Sequence, residues 1–273
     1  MKTIYILGYN IYAVVTAIIL RNFFGYNADV RIIDLKKERS NVPIVVDSKL
    51  IKIILDLNDI PIKQFLKETN GTPIVGSVYR NFFKRGSLKL VTNDKANQDS
   101  IIYKKALNPN MTSEEEVNYT SKLSNQILNN LIDENINDDY AFTFDSVKAT
   151  NFLFKNVFRE KLEGRIVDCN VKNIVYEENG YIKFLETSVN RGLPLKAGLY
   201  IDCSEDIFKH KSEQTHYNNS VITASFPYRN KKEQIINSKC YIAKDNGYLM
   251  ERYLWNRIEV NYFFNKQFIT GKQ

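Results

Sequence analysis

Glycine is scarce in this sequence, with 11 residues among 273, below the usage of about 7% in ordinary globular proteins. Sites that hold phosphate against backbone consume glycine, so the shortage tells against a glycine-rich phosphate loop. Histidine is scarcer still. His210 and His216 lie in a polar stretch with too few other ligands for a metal centre, and none is expected. The three cysteines, Cys169, Cys203 and Cys240, form no CxxC pair and fall in apparent strands. They read as reduced core thiols of an intracellular, cytoplasmic protein. The net charge is +7, but Lys and Arg alternate with Asp and Glu and no long basic tract occurs. The surface is therefore read as solvated, with no nucleic-acid partner. Long apolar runs are missing too: Tyr5–Leu20 is interrupted by Gly8 and Asn10 and closed by Arg21. No signal peptide, membrane span or membrane partner is expected.

What is present is a core-forming composition, 44% hydrophobic and 25% charged, enough for one large domain or two small ones. The abundance of Asn, Ile, Lys, Tyr and Phe is that of an AT-rich genome, such as a bacteriophage or a parasite. The N-terminus organises the rest. TIYIL (Thr3–Leu7) reads as a buried strand, VVTAIILRNFF (Val14–Phe24) as a helix ended by Gly25, and DVRIIDL (Asp29–Leu35) as a second strand closing on Asp34. Strand, tight turn, helix, strand and acid form the opening unit of a dinucleotide-binding fold. Its glycine fingerprint is damaged. Gly8 holds the first position and Ala13 an acceptable third, but Asn10 stands where the second glycine would admit a pyrophosphate. Gly8, Asn10, Ala13 and Asp34 are thus the candidate cofactor-binding residues, in degenerate form. Asp34 reads either as a ribose ligand or, by preference, as a solvated strand-end acid. Asn10 reads either as a phosphate donor or, by preference, as a turn former.

Further along, Val42–Leu57 passes from extended to helical with Asp47 or Ser48 as N-cap. Ile62–Thr69 reads as a short helix ended by Asn70-Gly71, and GSVYRNFF and SLKLV as two strands. Asn93–Asn118 reads as a surface loop, Ser121–Ile132 as a helix, and Asp145–Leu162 as the clearest helix, with Val147, Phe152, Val157 and Phe158 in its apolar stripe. Strands follow on both sides of an Asn179-Gly180 hairpin, at GLYIDCS, and from Ser220 onward. The fold class expected is α/β, a Rossmann-like FAD-binding-type core with a mixed sheet, joined to antiparallel strands at Thr72–Val91 and Ser220–Thr270. We expect one fold over residues 1–273, Rossmann-like at about 1–70 and 140–215 and β-rich at about 72–92 and 218–273.

Several phrases resemble, in order, the flavin-dependent tryptophan halogenases of the flavin monooxygenase superfamily. IIDL (Ile32–Leu35) is similar to the second strand with its ribose-binding acid, and FLKETNGT (Phe65–Thr72) to FLRE-x-NAT. YAFTFDSVKATNFL (Tyr140–Leu153) resembles YAYHFDA…FAxFLR, and YIDCSEDI (Tyr200–Ile207) resembles FIDCSGF. NGYLMERYLWNRIEVNYFFNKQFIT (Asn246–Thr270) resembles GWxWxIPLxxRxGxGYVYSSxFIS. The resemblance covers the whole chain but only the front of a family member. It implies FAD and halogenation of an aromatic substrate, yet the departures fall on the chemistry. The lysine that carries activated chlorine corresponds to Ile74, the flavin-side GEG to Val46-Asp47-Ser48, and the DCSG glycine to Glu205. Glu205 and Asp206 would repel a pyrophosphate rather than form a working acid pair. The family's catalytic glutamate and flavin-covering segment would lie beyond Gln273.

The reading that follows is a non-catalytic pseudoenzyme with no catalytic residue and no cofactor, used as a structural or interaction module. In a phage it would be a virion or assembly component. The alternative is a diverged FAD-dependent monooxygenase or halogenase acting on a small aromatic substrate; a nucleotide-binding regulator has least support. The aromatics Tyr248, Tyr253, Trp255, Tyr262, Phe263 and Phe264 are read as core in preference to a stacking surface. A protein partner, or a second copy, is expected at about Tyr248–Phe268; if Phe264 and Phe268 both face outward, replacing them by Ser is expected to release it.

Overall fold

The computed structural model describes residues 2–35, 43–74, 76–82, 87–91, 141–188, 194–204, 220–228 and 238–266, with backbone alone at 45–49, 87–91 and 238. In chain order these form β1 (Lys2–Leu7), α1 (Ile11–Phe24), β2 (Ala28–Asp34), β3 (Pro43–Asp47), α2 (Ser48–Asp56), α3 (Ile62–Glu68), β4 (Thr72–Ile74), β5 (Gly76–Arg80), β6 (Ser87–Val91), β7 (Ala141–Asp145) and α4 (Ser146–Leu153). Then follow β8 (Arg165–Asp168), β9 (Val171–Tyr176), β10 (Ile182–Thr187), β11 (Leu199–Asp202), β12 (Ser220–Pro227), β13 (Ser238–Lys244), β14 (Gly247–Tyr253) and β15 (Arg257–Phe264). The Ser121–Ile132 helix, the Asn93–Asn118 loop, His210, His216, Glu205, Asp206 and Phe268 lie outside the described residues. No described helix is long and apolar enough to cross a membrane.

The chain divides into two compact units, one of Met1–Val42, Lys52–Thr69 and Asp145–Ser212, the other of Pro43–Ile51, Asn70–Phe144 and Glu213–Gln273. The first is built on a parallel sheet of order β11-β1-β2-β8. Ile201, Ile6, Ile32 and Ile166 stand side by side across it. Tyr5, Ile6 and Leu7 are all buried, which is why this strand reads as an unbroken apolar run rather than an alternation. One face is covered by α1 through Ala13, Val14, Ala17 and Ile18. On the other, Tyr5, Leu7, Ile33 and Cys169 pack with Leu185, and with Ile174 and Ile182 of the β9–β10 hairpin. That hairpin turns at Gly180, whose φ is +83°.

The helix expected over Asp145–Leu162 is α-helical only to Leu153, then widens to a π-helix over Phe154–Arg159. Asp145 caps it, accepting the Lys148 N–H at 3.2 Å. The widening has a packing reason. The buried pairs Phe152-Leu153 and Val157-Phe158 are five residues apart. An α-helix turns such pairs onto different faces, whereas an i→i+5 turn brings them back to one. Gly164 then returns the chain to β8, because a Cβ there would meet the Phe158 ring at 2.4 Å. The α3 helix ends at Thr69 as expected, with Asn70 at φ +54°.

The second unit holds a six-stranded sheet of order β12-β15-β14-β13-β5-β6 and a three-stranded sheet of order β3-β7-β4. The hairpins β13–β14 and β14–β15 are antiparallel, as are β12–β15 and β5–β6. The junction β13–β5 is parallel, so the region expected to be antiparallel is mixed. A long crossover in the sequence between β5 and β13 permits this; a tight hairpin would not. The strand Gly247–Tyr253, not separately marked in the sequence, is at the centre of the sheet.

Phe65 is fully buried and meets Phe152 edge-on at 5.5 Å. Phe65→Ala is expected to destabilise the first unit by about 3–5 kcal/mol, read as a lower urea midpoint.

Candidate functional site

The carboxyl ends of the parallel strands are where a dinucleotide fold places its ligand crevice, and the sequence candidates gather there. Gly8 follows β1 at φ +106°, and its N–H donates to the Ile33 carbonyl at 2.9 Å. A Cβ at Gly8 would stand 3.2 Å from the Cys203 carbonyl and 3.3 Å from Ser204 Cα. The glycine therefore answers an internal need, the close approach of this turn to the segment after β11. Ala13 is fully buried at the start of α1, where a small residue brings helix and sheet together. Asp34 is half-buried at the end of β2, in register with Asp168 of β8.

Asn10 has a definite occupation. It is the N-cap of α1: its Oδ1 accepts the Ala13 N–H at 3.0 Å, while its Nδ2 donates to the Cys203 carbonyl at 2.6 Å. Capping satisfies one of the helix's unpaired N–H groups, and the second bond ties the turn to β11. Of the two earlier readings of Asn10, this is the turn former. Tyr9 is held beside it, its hydroxyl donating to Asn151 Oδ1 at 3.3 Å and its ring meeting Phe154 edge-on. Cys203, whose carbonyl takes the Asn10 amide, was seen in the sequence only as a core thiol; burial pushes that thiol's pKa up. Asp202 Oδ1 accepts both the N–H and the hydroxyl of Ser204.

These residues test poorly against a bound FAD. The helix end has no acidic residue in its first turn, which suits an anion. But Asn10 stands at the second fingerprint position in place of glycine, and both ends of its amide are engaged. Asp34 and Asp168 end the adjoining strands β2 and β8, and Asp202 ends β11 on the other side of β1, adding negative charge at the same end of the sheet. Among the described residues no cluster of acids, cysteines or histidines could hold a metal ion.

No protein-family model matches the chain, and no curated protein matches it in sequence. Solved structures do match. A tryptophan 6-halogenase from Streptomyces toxytricini superposes with a TM-score of 0.83 at 15% identity, over 99% of this chain and 58% of that one. A tryptophan halogenase from Shewanella frigidimarina gives 0.82 at 14%, over 99% and 57%. The tryptophan C-6 flavin-dependent chlorinase of taromycin biosynthesis gives 0.81 at 17%, over 99% and 58%. The fold is that of the flavin-dependent tryptophan halogenases. At such identities the likeness concerns fold alone, and the chain spans less than three fifths of the length of these proteins.

The halogenase-like positions can now be placed. Ile74 closes β4 opposite Ala141 and is a hydrocarbon side chain 2% exposed. Val46-Asp47-Ser48 form the passage from β3 to α2. Tyr248–Tyr253 lie in β14. Tyr79 stacks on Tyr241 at 4.8 Å, and Tyr248 on Phe263 at 4.9 Å. Tyr253 and Phe264 are buried, as the core reading requires, whereas Trp255 is exposed. Phe264 does not meet the condition of facing outward on which its part in the interface expectation depended. It is 8% exposed and stacks on Tyr262, because strand alternation turns it to the same face as buried Tyr253. On the neighbouring strand β12, Val221, Ile222 and Phe226 are exposed.

Asn10→Ala removes both the cap and the link to Cys203. It is expected to lower stability by about 1–2 kcal/mol, more than a capping loss alone, seen as a lower thermal midpoint; Asn10→Asp should recover the capping share only.

Proposed function

We propose that this chain is a halogenase-like scaffold that does not halogenate and acts as a structural or interaction module. The observation that carries the reading is Ile74. A haloamine, or a hydrogen bond to hypohalous acid, needs a side-chain nitrogen, and isoleucine has none. The engaged Asn10 amide supports the companion proposal that FAD is absent or held too weakly to survive purification. If the chain is phage-encoded, the module serves in the virion or its assembly; otherwise it works in the cytoplasm.

The second reading is a diverged FAD-dependent monooxygenase or halogenase acting on a small aromatic substrate. It is favoured by the likeness to enzymes described as flavin-dependent and by the kept strand–helix–strand unit ending in Asp34. Titrating FAD and following the quenching of its fluorescence separates the two. The scaffold reading expects no saturation by wild type in the micromolar range, and tighter binding by Asn10→Gly, which reopens the turn. Saturable micromolar binding by wild type, or a yellow purified protein, establishes the flavoprotein instead.

The proposed partner surface moves with the side chains. The exposed Val221, Ile222 and Phe226 of β12, an uncharged strand paired on one side by β15 among the described residues, suit pairing with another chain beside the last strands. Sedimentation of wild type is expected to show self-association, or recovery with a partner, that Ile222→Lys and Phe226→Lys weaken. A well-behaved monomer recovered alone overturns the proposal.

A further inference from the structure

Among the described residues, one face of the six-stranded sheet holds more positive charge than it neutralises. Arg252 of β14 and Ser225 of β12 both stand opposite Glu259 of β15. Lys239 of β13 adjoins Arg252, since the next residue, Cys240, pairs with Glu251. The Glu259 carboxylate is already engaged: Arg257 Nε donates to Oε1 at 2.6 Å and the Ser225 hydroxyl at 3.2 Å. Arg252 Nη1 donates to the Pro43 carbonyl, but its Nε has no acceptor, although the residue is only 8% exposed. Asn261, two residues beyond Glu259 on the same face, is 2% exposed. Its Oδ1 accepts the Thr223 hydroxyl at 2.7 Å while its Nδ2 has no acceptor. Lys239 has no ion pair or hydrogen bond of its ammonium among the described residues. Burial, and then Arg252 beside it, push its pKa down, and burial does the same to Arg252.

A buried donor without an acceptor costs about 1–3 kcal/mol, and more when it is charged. Here two such donors and a half-buried ammonium share one sheet face, within the diagonal reach of long side chains on paired strands. Each lacks the same thing, a negatively charged acceptor. We propose that this face is a binding site for an oxyanion, a carboxylate or phosphate group, taken by the Lys239 ammonium, Arg252 Nε and Asn261 Nδ2. Glu259 does not compete for the position, because Arg257 and Ser225 hold it. The stacked pairs Tyr79–Tyr241 and Tyr248–Phe263 lie on the same face and give the body of such a ligand an apolar surface.

Thermal unfolding of the full chain tests this, at constant ionic strength in chloride, with low-millimolar inorganic phosphate in one arm and acetate in the other. Wild type is expected to gain a few degrees, saturably, with at least one anion; which arm responds assigns the anion to phosphate or carboxylate. Lys239→Met removes an unpaired charge, so without anion it is expected to unfold at or above the wild-type temperature and to lose the anion response. Arg252→Met should lose the response as well; if it does not fold, Lys239→Met decides alone. No saturable shift of wild type in either arm, or an undiminished shift in Lys239→Met, overturns the site.

Discussion

The bond from Asn10 Nδ2 to the Cys203 carbonyl, at 2.6 Å, fixes the place where the first unit would meet a ligand. It joins the N-terminus of α1 to the end of β11, across the central strand β1. Gly8 lets those backbones approach, and the Asn10 Oδ1 closes the helix end. A crevice at the carboxyl ends of a parallel sheet depends on open N–H groups and bare backbone. In this chain the turn is held by a side chain, through the two Asn10 bonds.

The halogenase fold is kept by residues that face inward. Ile6, Ile32, Ala13, Phe65 and Phe142 are buried to within a few percent, and their packing is indifferent to chemistry. The positions that differ fall where a reaction needs a particular atom. Ile74 offers hydrocarbon for a nitrogen, and Asn10 a side chain for bare backbone. Scaffold and site answer to different physical demands.

The second unit shows the converse, polar groups arriving where they are costly. Where the resembling motif reads RxGxG, this chain reads Arg257, Glu259 and Asn261, and Arg252 comes to stand opposite Glu259. Arg257 and Glu259 form a close pair, whereas Arg252 Nε and Asn261 Nδ2 are left with donors unmet. Buried ionic groups seldom add net stability over apolar ones, so this face is explained better by what it could hold than by what it stabilises.

By itself the sequence determined the local elements. Apolar runs, turn glycines and capping residues are short-range signals, and β1, α1, β2, α3 and the Asn179-Gly180 hairpin stand where they were read. The damaged fingerprint at Asn10 was legible for the same reason. Only the tertiary structure decided pairings between distant segments. It supplied Cys203 as the acceptor for Asn10, the parallel junction of β5 with β13, the π-helical turn after Leu153, and the inward face of Phe264. It also brought Lys239, Arg252 and Asn261 to one face from three strands. Such neighbours are set by sheet register and by which face a core claims, and neither is written in the spacing of residues along one strand.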